Sequence, residues 1–319
     1  MQKTQLRTSL LGRTGLEITR VGFGAWAIGG GGCEFGWGPQ QDDESIAAIH
    51  RALDLGVNWI DTAAAYGFGR SEQIVGRALQ GLSERPYVFT KCSLLDDGTR
   101  HVRHSLKRDS ILREAEGSLR RLGADAIDLY QIHWPIPDED LEEGWAAMAE
   151  LKERGLVRHI GVSNFSASQL RRIQLVAQVE TIQPPYSLID RAAEAEILPL
   201  AERDGTGVIV YSPMGSGLLT GGITRDRIAA MPGDDWRKTD PRFTEPQLSR
   251  HLALAARLQA VAARHGSTPG AVAAAWTLRN PAVDGAIAGF RRPAQVDPIL
   301  DAAGLDLTGQ DMTDIEAAN

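Results

Sequence analysis

The sequence holds only two cysteines, Cys33 and Cys92, in 319 residues. That excludes a disulfide-stapled scaffold. It has no apolar run long enough to span a bilayer, so a membrane partner is not expected. Residues 1–16 lack the sustained apolar core and cleavage pattern of a signal peptide. The expected address is therefore cytoplasmic. Positive charge is also short: 34 Lys and Arg stand against 41 Asp and Glu, a formal net charge of −7. Nucleic acid is then not an expected partner, because binding phosphates needs a basic face. A local site for an anionic ligand stays open, since net charge says nothing about one pocket. Nothing in the sequence sets an oligomeric state.

What is present fits a large packed core: 43% of residues are hydrophobic and 24% charged. A short hairpin comes first, with Thr8-Ser-Leu-Leu11, a turn at Gly12-Arg-Thr-Gly15, and Leu16-Glu-Ile18. A unit then recurs, in which a short apolar run, a polar or glycine-bearing loop and an amphipathic stretch follow one another. The apolar runs are Val21–Gly24, Val57–Asp61, Tyr87–Lys91, Ile127–His133, Ile160–Ser163, Thr181–Gln183, Gly207–Ser212 and Ala286–Gly289. Between them, sets such as Leu112, Ala115, Leu119, Leu122 and Leu141, Trp145, Met148, Leu151 recur at three- and four-residue steps, the signature of helices packed on a sheet. Asp42, Ser110 and Ser166 are expected N-caps, and Gly123 and Gly155 expected helix ends.

Eight alternations imply parallel strands with crossover helices. The expected fold is a single-domain (β/α)8 TIM barrel over residues 1–319, its bottom plugged by the hairpin, with an open doubly wound sheet as the competitor. The long interval from Pro213 to Val283 holds a polar, proline-bearing loop (Gly221 to Pro246) and helical stretches at Gln247–His265 and Pro269–Arg279. A last helix is expected over Leu307–Ala318.

In such a barrel, chemistry gathers where strands end and loops begin. Strand two ends at Asp61 and leads to Tyr66, strand three ends at Lys91, and strand four ends at His133. Each has an ordinary structural reading: a cap, a loop aromatic, a solvated strand end, a satisfied core histidine. Together on one rim they supply one mechanism. A tyrosine phenol, with a pKa of about 10, is a poor acid at neutral pH. A nearby lysine is expected to lower it, and a carboxylate to keep that lysine charged. A histidine can direct a substrate carbonyl. Hydride must come from elsewhere, and a nicotinamide cofactor is the obvious source.

At these residues the chain resembles the aldo-keto reductase family over nearly its whole length. The resemblance is carried by Asp61-Thr-Ala-Ala-Ala-Tyr66-Gly67 with Ser71-Glu72, and by Arg120-Arg-Leu-Gly123 with Asp128-Leu-Tyr-Gln-Ile-His133. Gly161-Val-Ser-Asn-Phe165 and Gln183-Pro-Pro-Tyr186-Ser187 complete it. It implies reduction of an aldehyde or ketone by NADPH, with NADH as a possible substitute, and a small-molecule carbonyl as the partner. Asp61, Tyr66, Lys91 and His133 are then the catalytic tetrad. Ser163, Asn164 and Gln183 are implied to hold the nicotinamide carboxamide, while Tyr211 stacks on the ring. Ser212, Pro213, Met214, Gly215, Ser216 and Leu218 are implied to wrap the pyrophosphate. Gly289, Arg291, Arg292 and Gln295 sit where the family binds the adenosine 2′-phosphate, and Ile299 replaces a frequent asparagine there. Two alternatives stay open: a cofactor-sensing protein on the same barrel, resembling potassium-channel β subunits, and a physiological alcohol or sugar dehydrogenase.

Competing motifs are weaker. Gly22-Phe-Gly24-Ala-Trp-Ala27 formally matches a dinucleotide fingerprint, which must open a helix directly. Here residues 29–38 hold six glycines, so a loop follows instead. That loop, with Trp26, Phe35 and Trp37, is expected to wall the substrate pocket, as is Trp134. His101-Val-Arg-His104 with Asp96 and Asp97 lacks zinc spacing, so no metal is expected and the segment reads as a solvated loop. Cys92 should point away from Lys91 by strand alternation and pack as a free thiol.

Overall fold

The computed structural model describes residues 6–317; Ala318, the expected end of the last helix, lies outside them. The strands are β1 (Thr8–Leu10), β2 (Glu17–Thr19), β3 (Val21–Gly24), β4 (Trp59–Asp61), β5 (Tyr87–Cys92), β6 (Leu94–Asp96), β7 (Val102–His104), β8 (Ile127–Ile132), β9 (Val157–Ser163), β10 (Thr181–Gln183), β11 (Gly207–Tyr211) and β12 (Gly285–Gly289). The helices are α1 (Asp42–Asp54), α2 (Arg70–Leu79), α3 (Arg108–Leu122), α4 (Leu141–Glu153), α5 (Ala167–Ile173), α6 (Ile197–Asp204), α7 (Arg225–Ala229), α8 (Gln247–His265), α9 (Pro269–Leu278), α10 (Asp297–Leu300) and α11 (Gly309–Glu316).

Strands β3, β4, β5, β8, β9, β10, β11 and β12 form a closed parallel barrel in that order, β12 pairing back onto β3. The doubly wound alternative is excluded. The β1–β2 hairpin is antiparallel and closes the bottom. Leu11, Leu16 and Ile18 enter the barrel to meet Trp59, Phe89, Leu129, Ile209 and Ile287. Each such fully buried side chain contributes roughly 1.5–3 kcal/mol relative to exposure. The wide indole of Trp59 fits because residue 22 is glycine: a Cβ there would stand 2.1 Å from the ring.

This layer sets the parity of the strands. With Trp59, Phe89 and Leu129 pointing inward, so do Asp61, Lys91 and Gln131 two residues on. The inward row of each strand thus runs from an apolar floor to a polar rim. Cys92 takes the opposite face, buried beside Met148 of α4.

Helix ends follow local chemistry. Ser166 caps α5 in a reciprocal box with Gln169, and Gly123 ends α3 in a left-handed conformation. Asp42 and Ser110 are not caps. Asp42 is the first residue of α1, where Arg70 and Arg77 bind it. Ser110 lies inside α3 and bonds Glu114. The segment after β5 is also not a plain loop. Leu94–Asp96 pairs with Val102–His104 as an antiparallel ribbon beside the barrel mouth. The interval before β12 includes α7 as well as α8 and α9.

Candidate active site

A cavity of 1230 Å³ opens at the C-terminal ends of the barrel strands. It is lined by Asp61, Tyr66, His133, Asn164, Tyr211 and Arg292 among others, so it runs from the strand-two rim to the start of α10. Lys91 lies beneath it, 1% exposed.

Asp61 and Lys91 form a buried pair, Nζ to Oδ1 2.5 Å. The ammonium also donates to the carbonyl of Thr62 at 2.9 Å and reaches the Tyr66 hydroxyl at 3.3 Å. On the other side of Asp61, Gln183 Nε2 donates to Oδ2 at 2.9 Å and Gln131 Nε2 to the same oxygen at 3.5 Å. The carboxylate is therefore surrounded by donors, as a buried charge requires.

Tyr66 is aimed by a glycine contact. Gly67 has a φ of 63°, and a Cβ on it would lie 2.2 Å from the carbonyl oxygen of Gly29. Only glycine lets the Tyr66 turn settle onto the start of the glycine-rich loop. The Ser71-Glu72 pair then pins α2 behind it. Ser71 Oγ donates to the Ala25 carbonyl at 2.8 Å, and Glu72 accepts from Thr90 and from Arg121, both at 2.6 Å.

The electrostatics differ from the sequence expectation. Burial, then the charge of Asp61, pushes the Tyr66 phenol well above its ordinary value. The lysine does not overcome this, so Tyr66 is a fully protonated phenol at neutral pH. Burial draws Lys91 below the usual lysine range, while Asp61 opposes that shift. His133 is held well below the usual histidine value, first by burial and then by Lys91. It is a neutral imidazole whose ring stands edge-on to Tyr66, centroids 5.6 Å apart. Its Nδ1 is buried with no partner among the described residues, which leaves Nε2 free to carry the proton.

Ser163, Asn164, Gln183 and Tyr211 are joined in one hydrogen-bond network. Asn164 Nδ2 donates to the His133 carbonyl at 2.9 Å and to Ser163 Oγ at 3.1 Å, while Oδ1 accepts from Tyr211 Oη at 2.8 Å. Ser163 Oγ in turn donates to the Gln183 carbonyl at 2.8 Å. Asn164, Ser212 and Ser216 all have positive φ, at 64°, 55° and 55°. Such strained backbone concentrates at ligand sites. Ser212, Pro213, Met214, Gly215 and Ser216 line the cavity, and Ser216 Oγ is buried without a partner among the described residues. Leu218 does not line it. Its side chain packs with Ile223, Met231, Phe243 and Leu248.

At the far end the two arginines separate. Arg291 donates through Nε to Gln40 Oε1 at 2.7 Å, and through Nη1 and Nη2 to the carbonyls of Trp37 and Pro39. It ties down the glycine-rich loop. Arg292 is exposed at the cavity edge and has no ion pair among the described residues. Gln295 Oε1 accepts from both arginine amides, shaping the turn after Gly289. Ile299 and Pro298 also line this end.

The mouth is aromatic. Trp26 stacks on Trp236 at 5.3 Å, meets Trp37 edge-on at 5.2 Å and faces Tyr66 at 6.1 Å. Trp134 lines the opposite side, 39% exposed. Arg237, paired with Asp235, lies 4.4 Å over Trp37. Gln131 and this Asp235–Arg237 pair are the site residues that sequence reasoning missed. Strand parity could have found Gln131, two residues before His133; the pair flanks Trp236, whose loop the sequence places at an aromatic pocket, but its pairing could not be read there. No group of side chains able to hold a metal occurs among the described residues.

Comparisons with known proteins agree with this geometry. The family model described as aldo/keto reductase family matches residues 20–319. Aldo-keto reductase YhdN of Bacillus subtilis (strain 168) is 41% identical over 305 residues, 95% of this chain and 90% of that protein. The NADH-specific methylglyoxal reductase of Escherichia coli (strain K12) is 37% identical, covering 95% of each chain. The solved structure of the glycerol dehydrogenase AKR11B4 from Gluconobacter oxydans superposes with a TM-score of 0.86 at 38% identity, covering 100% of this chain and 95% of that one. A closed eight-stranded barrel, this rim and a match across 300 residues lead to one assignment: the chain belongs to the aldo/keto reductase family, NAD(P)H-dependent oxidoreductases of carbonyls and alcohols.

Proposed function

We propose that this protein, acting as one barrel domain, reduces an aldehyde or ketone to an alcohol with Tyr66 as proton donor and NADPH as the preferred cofactor. The observation that carries the reading is the buried Lys91–Asp61 pair directly beneath the Tyr66 hydroxyl. When bound, NADPH supplies hydride to the carbonyl carbon. The protein's part is the proton and the geometry.

His133, neutral, donates from Nε2 to the carbonyl oxygen and sets its direction. As charge grows on that oxygen it becomes a far stronger base than a phenolate, and Tyr66 yields its proton. A phenol with a raised pKa suits this order, because it keeps its proton until the alkoxide forms. Lys91, at 3.3 Å, then stabilises the phenolate that remains. Asp61 keeps Lys91 charged, and Gln131 and Gln183 keep Asp61 in place. Run backwards, the same residues oxidise an alcohol, a direction favoured by the likeness to a glycerol dehydrogenase.

The residues present fit the cofactor. Gln183 Oε1, which accepts no hydrogen bond among the described residues, and the second lone pair of Asn164 Oδ1 are the acceptors for the carboxamide amide. Tyr211, locked by Asn164, offers its ring. The segment 212–217, with positive φ at Ser212, Gly215, Ser216 and Gly217 and a Ser216 hydroxyl that has no partner among the described residues, is the pyrophosphate cradle. Arg292 is the phosphate-selecting cation, with Arg291 as its structural neighbour; a single free guanidinium predicts a moderate preference for NADPH over NADH. Two unpaired cysteines fit a cytoplasmic setting, where thiols stay reduced. The aromatic mouth accepts ring faces and apolar chains. Following cofactor oxidation across a carbonyl panel, with each nucleotide, tests the reading directly.

A further inference from the structure

Behind the ends of β5 and β8, on the side facing the helices, α3 buries a carboxylate. Glu114 is 8% exposed and takes part in no ion pair among the described residues. Its Oε2 accepts from the Ser93 backbone N–H at 2.9 Å, and its Oε1 from the Ser110 hydroxyl at 3.1 Å. Ser93 follows Lys91 and Cys92, where β5 leaves the barrel, and is held at a φ of 80°. A non-glycine residue stays there only when its surroundings impose it. The Ser93 hydroxyl in turn meets the backbone of Trp134, Oγ lying 3.3 Å from both its N–H and its carbonyl oxygen. The His133 N–H donates to the Cys92 carbonyl at 3.1 Å. One carboxylate thus fixes the turn after Lys91, and that turn fixes the segment after His133.

We propose that Glu114 is a positioning residue for carbonyl reduction: acting through Ser93, it sets the placement of Lys91 relative to His133, and its protonation loosens that placement. This deepens the reduction reading and rests on it.

An ionised carboxylate takes a charge-assisted bond from the Ser93 amide. A protonated one must direct its own O–H to an acceptor, with Ser110 in reach, and keeps only a weaker neutral bond to Ser93. The switch lies in the working range, because burial pushes Glu114 up to about 7 against the opposing pull of its two hydrogen bonds and of Arg103 and Arg121. The neighbouring groups whose values shift move away from that point. On β5 and β8, burial pushes the Cys92 thiol and the Tyr130 phenol well up, and Glu114 adds to both shifts. On β7, burial draws His104 down. Arg121 is held by Glu72 of α2, and the α4 carboxylates Glu143 and Glu150 face Lys107 and Arg108 at the surface.

Glu114→Gln makes the neutral version of both contacts, its amide oxygen accepting from Ser93 and its nitrogen donating to Ser110, so it holds the protonated arrangement at every pH and cannot titrate. The experiment measures kcat and KM for one aldehyde at saturating NADPH, from about pH 5.5 to about pH 9. The expected wild-type kcat falls on the acid side of about pH 7, and Glu114→Gln removes that fall by staying near the lower, acid-side value across the range. Glu114→Ala lowers kcat by roughly 10- to 100-fold with KM changed less than about threefold. Persistence of the inflection in Glu114→Gln, or its absence from the wild type, overturns the proposal. Deuterium exchange in the free protein, corrected for intrinsic rates, gives a readout independent of turnover. The amides of Ser93 and Trp134 should lose protection on the acid side in the wild type and not in Glu114→Gln; equal wild-type protection at both pH values overturns it. If the wild type reduces no carbonyl, the reduction reading fails, and the exchange result still decides whether Glu114 holds the two segments.

Discussion

The Lys91 ammonium, just beneath the cavity, stands 3.3 Å from the Tyr66 hydroxyl while it holds Asp61 at 2.5 Å, and both of those side chains line the cavity. Breaking a buried pair leaves one uncompensated charge, which costs about 3–5 kcal/mol. Lys91→Met is therefore expected to destabilise the fold by that order and to abolish turnover. The double variant Lys91→Met/Asp61→Asn should recover most of the stability and none of the activity. Urea unfolding alongside a carbonyl-reduction assay separates the two effects.

The separation of Arg291 from Arg292 predicts different phenotypes. Arg292→Ala should raise the KM for NADPH about tenfold or more and leave that for NADH within about twofold, as expected for one lost charge-assisted phosphate contact. Arg291→Ala should weaken both nucleotides alike and raise the substrate KM, because it releases the loop carrying Trp37. Equal NADPH selectivity in wild type and Arg292→Ala would remove Arg292 as the selecting residue.

Glu114 also ties stability to pH. Its folded pKa, about 7, lies above the ordinary glutamate value. The stability linked to the neutral form is therefore complete below the unfolded value and is lost as pH rises through about 7. The size is on the order of 3 kcal/mol. Denaturation midpoints for the wild type should fall between about pH 5 and about pH 8 more steeply than those of Glu114→Gln. Parallel curves would show that Glu114 does not titrate in this interval.

Gly67→Ala should damage the site through backbone alone. The added methyl would meet the Gly29 carbonyl and sit on a residue of positive φ. A loss of roughly 1–3 kcal/mol is expected, with kcat reduced by displacement of Tyr66. Thermal melts and kinetics of this variant check both; wild-type kcat would show that the contact does not aim Tyr66.

Much of this was legible in the sequence, for reasons that can be named. The barrel strands coincide with the apolar runs to within a few residues, because fully buried parallel strands leave short apolar runs bounded by turns. The grouping of Asp61, Tyr66, Lys91 and His133 was legible because three strand ends and the loop after one of them put four chemically distinct residues on one rim. Three things were not. The β6–β7 ribbon has too little apolar alternation to be told from a polar loop. The fate of Arg291 depends on three loop acceptors far away in sequence. The upward shift of Tyr66 depends on burial, which a strand-end position does not disclose.

The most direct test of Tyr66 as proton donor is Tyr66→Phe, with NADPH binding followed by fluorescence and turnover followed by cofactor oxidation. The expected result is a dissociation constant within about threefold of wild type and turnover lowered on the order of 10³-fold. Turnover within about tenfold of wild type, at full cofactor binding, would show that the proton comes from elsewhere.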